Sequence, residues 1–185
     1  MYQMARDVEG EMGSKQRYNL TEIGEIPEEW EVARLGKVAR IRGNKTVKNI
    51  SEIAFIPMEL IPNDELYVNY KVLPISEVKS STYCEEGDVL LAKITPSVEN
   101  GKQGIVPKVP MGFAKATTEV FPVHCEYSIF NLFLFYVLKL PKFRNVLINE
   151  MAGSTGRQRV PKHTMINLLI PLPSLSEQRK IAEIL

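Results

Sequence analysis

Proline holds its own φ at about −65° and has no N–H to give to a hydrogen-bond ladder. In this chain it recurs at twelve positions between Pro27 and Pro173. Between the prolines lie short β-branched and aromatic runs that close on Gly, Asn or Ser. This punctuation predicts strands over residues 30–35, 39–42, 54–58, 67–73, 88–94, 104–109 and 119–123. The prolines are expected to keep these strands short or at sheet edges.

After residue 127 the pattern changes. Residues 128–140 are apolar on nearly every side, as in a buried helix. Pro141 ends that run and suits the first turn of a second helix over 142–151, where Phe143, Val146, Leu147 and Met151 recur at three- and four-residue spacing. A polar loop at 152–156, a short segment to Asn167, a brief strand at 168–170 and the pair Pro171 and Pro173 follow. Ser174-Leu-Ser-Glu177 then fits a capping box, in which the serine hydroxyl accepts the Glu177 amide and the Glu177 carboxylate returns the bond. Ile181, Ile184 and Leu185 make an apolar stripe behind it. A helix of about eleven residues is marginal alone in water, so this one reads as the start of something longer, or as a helix that needs a partner. The expected class is α+β: a short-stranded, twisted mixed sheet, helices in the C-terminal part, then the start of a long helix. The first seventeen residues lack periodicity and read as a tail.

At 185 residues the chain can bury a substantial core as one domain with an appendage. The most apolar stretch, 129–140, is interrupted by Asn131 and Lys139 and is too short to span a bilayer. The opening residues show no secretory pattern, so the expected location is the cytoplasm. Cys84 and Cys125 have no further Cys or His at metal-ligand spacing beyond His124 and His163, which predicts two reduced thiols and no zinc site.

The net charge of +1 argues against whole-surface binding to a polyanion, but the charges are segregated. Arg34, Lys37, Arg40, Arg42, Lys45 and Lys48 form one basic run, and Lys139, Lys142, Arg144, Arg157, Arg159 and Lys162 a second, broken only by Glu150. One phosphate-facing side would produce this distribution; so would two solvated faces pointing apart.

Catalytic signatures are absent: there is no phosphate-binding loop, dinucleotide turn or nucleophile elbow. Asp64 with Glu77 and Lys79 loosely echoes a metal-dependent nuclease, a pattern common by chance. Three loops share another chemistry. The run at 153–159, Gly-Ser-Thr-Gly-Arg-Gln-Arg, joins the hydroxyls of Ser154 and Thr155 to Arg157, Gln158 and Arg159, with Lys162 close behind. Hydroxyls suit phosphate oxygens, while Arg pairs with guanine and Gln with adenine in the major groove. An interhelical loop whose arginines cap a helix end explains the same residues. The segment after the 88–94 strand carries Lys93, Ser97, Asn100, Lys102 and Gln103, although Asn100-Gly101 alone is a hairpin signal. Arg42, Asn44 and Lys45 repeat the chemistry more weakly. Three such loops between short strands favour a binding face over an active site.

Several segments also resemble a known family in the expected order. Residues 23–32, Ile-Gly-Glu-Ile-Pro-Glu-Glu-Trp-Glu-Val, leading to Leu35-Gly36, look like the start of a target-recognition domain of type I restriction–modification specificity subunits. Glu86-Gly-Asp-Val-Leu-Leu91 with Lys93-Ile-Thr-Pro96 resembles that family's central strand. The stretch from Gly153 through Ile170-Pro-Leu-Pro173 to Leu185 resembles the junction with its spacer helix. The resemblance covers residues 18–185 and implies a tail at 1–17, a DNA target-recognition domain at 18–172 and the start of a spacer helix at 173–185. It implies a non-catalytic subunit that binds no cofactor itself. Each recognition domain reads one half of a bipartite double-stranded DNA site. Methyltransferase subunits bring S-adenosylmethionine chemistry, and through them a motor-nuclease subunit joins. One recognition domain with a short helix leaves two origins open, a piece of a longer chain or a half-subunit that dimerises through its helix by Ile181, Ile184 and Leu185. The resemblance assigns no base-contacting residue, so the candidate residues rest on loop chemistry. A nuclease using Asp64, Glu77 and Lys79, and an assembly scaffold that reads no DNA, are the alternatives.

Overall fold

The computed structural model describes residues 16–185; the expected tail falls almost wholly outside them. Among the described residues twelve short strands form four small sheets, accompanied by five α-helices, an α+β architecture as expected. A hairpin of β1 (Tyr18–Thr21) and β2 (Gly24–Pro27) opens the fold. β3 (Glu31–Arg34) pairs with the late strand β12 (Leu169–Leu172), bringing the two ends of the domain together. A single turn, α1 (Leu35–Val38), leads into β4 (Ala39–Ile41).

The centre is the sheet β4–β11–β8–β9, with β8 at Val89–Ala92, β9 at Gln103–Ile105 and β11 at Val120–Cys125. Every side chain of β8 is buried, which its run Val-Leu-Leu-Ala requires of a strand covered on both faces. On one face Val89, Leu91, Phe121 and Val123 pack in a core with Phe133, Leu134, Leu138, Phe143 and Leu147. Those residues come from α2 (Asn131–Lys139) and α3 (Pro141–Asn149). On the other face Leu90 and Val120 pack in a second core with Ala54, Ile56, Cys84, Ala114 and Ala116. These line the sheet β6–β5–β10–β7, formed by β5 (Glu52–Ile56), β6 (Lys71–Pro74), β7 (Thr82–Glu85) and β10 (Phe113–Ala116). The β5–β10 pair is parallel and its neighbours antiparallel, so the sheet is mixed as expected.

The prolines do not all keep to edges. Pro122 lies inside β11, between β4 and β8. Its carbonyl accepts the Arg42 amide (2.8 Å), and in a strand the N and C=O of one residue point to the same side. The missing donor therefore falls on the β4 side, one residue past the end of that strand, and leaves the β8 ladder intact. The expected strand at 67–73 shrinks to β6, whereas β1, β2, β7 and β10 come from segments with no strong alternation.

Two buried polar side chains fasten the helices. The Arg144 guanidinium donates to Leu138 O (2.9 and 3.1 Å), Val98 O (3.1 Å) and Gln103 Oε1, with no carboxylate among its partners. Burial lowers its pKa to about 10. Gln178, in α5 (Leu175–Ile184), donates to Ser128 O (3.0 Å) and Pro173 O (2.9 Å) and accepts the Phe130 amide (2.7 Å). The capping box forms as expected, with Glu177 Oε2 accepting from the Ser174 amide and hydroxyl. Cys84 and Cys125 are free thiols, and burial raises both pKa values, that of Cys125 to about 12. No helix among the described residues is long and apolar enough to cross a membrane.

Gln178→Ala leaves one buried amide and two carbonyls without partners, so it is expected to destabilise the domain by about 2–3 kcal/mol. Ser174→Ala, which removes the cap alone, is expected to cost about 1 kcal/mol. Urea unfolding of the two variants measures both, and a smaller loss for Gln178→Ala than for Ser174→Ala would contradict this account.

Candidate nucleic-acid interface

β4 and β8 are both antiparallel to β11, so they run the same way and leave the sheet at the end where β11 begins. The loop after Ile41 and the loop after Ala92 therefore start side by side. The third loop joins them through the backbone. Val160 N donates to Lys93 O (2.8 Å), Thr95 N to Gln158 O (3.0 Å), and Arg159 exchanges both bonds with Ala152 (2.8 and 3.0 Å). Gly153 closes this loop at φ +128°, where a Cβ would stand 3.0 Å from Arg157 O, so a side chain is disfavoured there. Lys93 N also donates to Glu119 O (3.0 Å), which places the residue before β11 at the same end. The loops grouped by chemistry in the sequence thus share one end of the central sheet.

Their side chains divide into an inner and an outer set. Arg42 faces inward: Nε lies 2.5 Å from Asp88 Oδ2, and Nη2 lies 2.6 Å from Glu85 Oε2 and 2.7 Å from His124 Nδ1. Asp88 is wholly buried, accepts the Glu85 amide (2.8 Å) and has His124 Nδ1 3.1 Å from its other oxygen. A buried carboxylate demands such pairing. Tyr83 Oη donates to Glu85 (2.6 Å), and burial together with Glu85 pushes the Tyr83 phenol up to about 12. Lys115, on β10 and nearly buried, donates to Asn44 Oδ1 (2.9 Å) and Lys45 O (2.8 Å). Asn44 is therefore a brace, while Lys45 projects with its Nζ 5.1 Å from the Tyr83 ring centroid.

In the second loop Lys102 donates to Met58 O (3.1 Å) and Ile61 O (2.7 Å), and the fully buried Gln103 donates to Phe135 O (2.7 Å). Ser97 is half-buried and Asn100 exposed. Lys93 is half-buried with its Nζ 5.2 Å from the Phe121 ring centroid, and burial lowers its pKa. In the third loop Ser154, Thr155 and Arg157 are exposed and Gln158 half-buried, while Lys162 is exposed at the start of α4 (Lys162–Asn167). Arg159 is held bidentately by Glu119, Nε to Oε2 at 2.8 Å and Nη2 to Oε1 at 2.9 Å. That pairing holds the Glu119 carboxyl below the usual carboxylate range.

The chain matches the family described as type I restriction modification DNA specificity domain over residues 27–185. It belongs to that family. The type I restriction enzyme EcoAI specificity subunit of Escherichia coli is 34% identical over 161 residues, covering 85% of this chain and 27% of the relative. The EcoEI specificity subunit of the same organism is 33% identical over 162 residues, with the same coverage. The chain thus spans about a quarter of the length of these relatives. The HsdS subunit of Thermoanaerobacter tengcongensis shares the fold, with a TM-score of 0.62 at 17% identity, over 90% of this chain and 38% of that one.

Four of the loop residues picked from sequence serve as internal braces: Arg42 is an ion-pair partner of Asp88, Asn44 accepts from Lys115, Lys102 fastens its loop to the 58–61 turn, and Gln103 is buried under α2 and α3. Each is consumed by the fold. The nuclease alternative gains nothing: Asp64 is exposed with Lys139 Nζ 3.8 Å away, Glu77 and Lys79 are exposed, and among the described residues no three His, Cys, Asp or Glu converge to hold a metal. Sequence reasoning missed Glu119 and Lys115. Their partners are distant in sequence, and no local pattern marks either.

The acid side of the stability profile follows from this arrangement. Tyr83 first, and Arg42 and Lys45 after it, hold Glu85 below its ordinary value, as Arg159 does Glu119. A carboxylate lowered in the folded state contributes stability above its unfolded pKa, and that contribution is lost as pH falls through the folded pKa. Stability is therefore expected to decline below about pH 4.5, the ordinary carboxylate range. Tyr83→Phe is expected to shrink the decline by removing the hydrogen bond that most lowers Glu85. Urea unfolding at stepped pH reads both, and an unchanged acid limb in Tyr83→Phe would refute the assignment.

Proposed function

We propose that this domain reads one half of a bipartite double-stranded DNA site and directs type I methyltransferase subunits, and through them a motor-nuclease subunit, to that site in the cytoplasm. The observation that carries the reading is the convergence of three polar, cationic loops on one end of the β4–β11–β8–β9 sheet, two of them stitched together by backbone hydrogen bonds. The names of the relatives, specificity subunits of type I restriction enzymes, support it. Residues 18–172 act as the recognition domain and 173–185 as the start of the spacer.

In this reading Lys45, Lys93 and Lys162 set position on phosphates, helped by the hydroxyls of Ser97, Ser154 and Thr155. Asn100, Arg157, Gln158 and Arg159 meet base edges in the major groove. Arg42, Asn44, Lys102 and Gln103 shape the loops from within. The domain supplies recognition and no catalysis. On α5, Ile181 packs against the core while Ile184 and Leu185 are 84% and 68% exposed. Ile181 and Leu185 border a nearly apolar cleft of about 280 Å³ with Trp30, Tyr136, Leu140 and Pro171. A partner helix, from a second recognition half or a second copy, covers that face.

Co-expression with the cognate methyltransferase subunit, followed by mapping of methylated adenines, is expected to yield a motif with one defined half-site. Lys45→Ala and Lys162→Ala are each expected to weaken binding uniformly across sequences, leave the motif unchanged and reduce the salt slope by about 1. If the motif survives replacement of the exposed residues of all three loops, the domain is an assembly scaffold and the reading fails.

A further inference from the structure

The Arg159–Glu119 pair has a geometry that says more than positive charge. A guanidinium carries five N–H groups in a rigid plane. Glu119 takes the Nε–H and one Nη2–H with its two oxygens, at 2.8 and 2.9 Å, and so fixes that plane. The end of the fork, Nη1 and the second Nη2–H, is left with one long contact, 3.5 Å from Nη1 to Arg157 O. Both backbones are clamped. Arg159 bridges Ile94 on one side and Ala152 on the other, and Glu119 O accepts from Lys93 N. The Arg159 side chain is nonetheless 47% exposed, at the end of the sheet where the loops converge.

A phosphate is a poor partner for this fork, because it would bring its negative charge up to the Glu119 carboxylate. A guanine edge carries no net charge and offers two acceptors, O6 and N7, side by side. We propose that Glu119 and Arg159 form a guanine-reading unit, in which Arg159 donates end-on through Nη1 and Nη2 to O6 and N7 of one guanine and Glu119 is the positioning residue that aims it. The proposal rests on the domain being a duplex reader, and it adds which base is read and by which unit.

The test uses the full specificity subunit assembled with its methyltransferase subunits, with methylated-adenine mapping for wild type, Arg159→Ala, Arg159→Lys and Glu119→Gln. Arg159→Ala is expected to relax the motif at one guanine position only, with methylation of the guanine-containing site falling roughly ten- to a hundredfold. Arg159→Lys, which keeps the charge but not the fork, is expected to relax the same position. Glu119→Gln is expected to relax it partially while leaving every other position intact, which a merely structural role would not do. Replacing that guanine by 7-deazaguanine, which lacks N7, should slow wild-type methylation and leave Arg159→Ala unaffected.

A motif unchanged in Arg159→Ala, with uniformly weaker binding and a salt slope smaller by about 1, would identify a phosphate contact and overturn the proposal. That result leaves the duplex-reading function standing, whereas a motif indifferent to all three loops removes both. Should Arg159→Ala lose all activity, the wild-type protein decides: indifference to 7-deazaguanine at every guanine of the half-site overturns the unit.

Discussion

Asp88 is a carboxylate with no solvent exposure, set beside the first residue of the central strand, and it dictates what surrounds it. An isolated buried charge is untenable, so Arg42 reaches back across β11 to meet it, and Glu85 closes the cluster from β7. Three strands from two sheets are tied in this way: β8, β7 and the end of β4. The cluster lies on the face of the central sheet that carries Leu90 and Val120, the face packed against the second sheet. Apolar packing there fixes the distance between the sheets without fixing their register. The directional bonds of Arg42 supply that, and they settle where the chain emerges as the 43–51 loop.

The other loops are held by the same logic with different chemistry. Lys115 grips the first loop through Asn44 Oδ1 and Lys45 O. Arg144 grips the second from below, through Val98 O and Gln103, and ties it to Leu138 O at the end of α2. The third is laced to Lys93 and Thr95 by its backbone. Each loop therefore has a fixed root and a free outer rim, the arrangement that holds a reading side chain at defined geometry without adding bulk charge.

Much of the architecture was legible in the sequence, because its signals are local. The all-buried run of β8, the apolar helix α2, the proline opening α3 and the capping box of α5 each follow from neighbours within a few residues. The strands that escaped, β7 with Thr-Tyr-Cys-Glu and β10 with Phe-Ala-Lys-Ala, are small or polar, and their burial is decided by the sheet they join. The loops show the same divide more sharply. Asn100 and Gln103 carry the same amide chemistry three residues apart, yet one is exposed and the other fully buried beneath Phe135. Gln103 adjoins Gly104 at the head of an apolar strand, the one local hint that it faces inward. Arg42 and Lys45 looked alike for the same reason, and only the tertiary position of Asp88 separates them.

The nearly balanced net charge of the chain fits this division of labour. A domain that held DNA by bulk attraction would keep acids away from its contact end, since each carboxylate there weakens the pull on phosphates. Here Glu119 stands at that end and is assigned to Arg159, as Asp88 and Glu85 are to Arg42 further down the sheet, while Glu99 accepts from Thr95 Oγ1 (2.8 Å). Such pairing lowers non-specific affinity and raises the orientational order of the guanidinium groups. Under the proposed function, in which the grip on DNA is shared with larger partners, that exchange favours discrimination, because binding strength would come from the assembly while the choice of sequence stays with a few rigid forks. The weak overall charge is then a consequence of how the loops are built and gives no argument against a nucleic-acid partner.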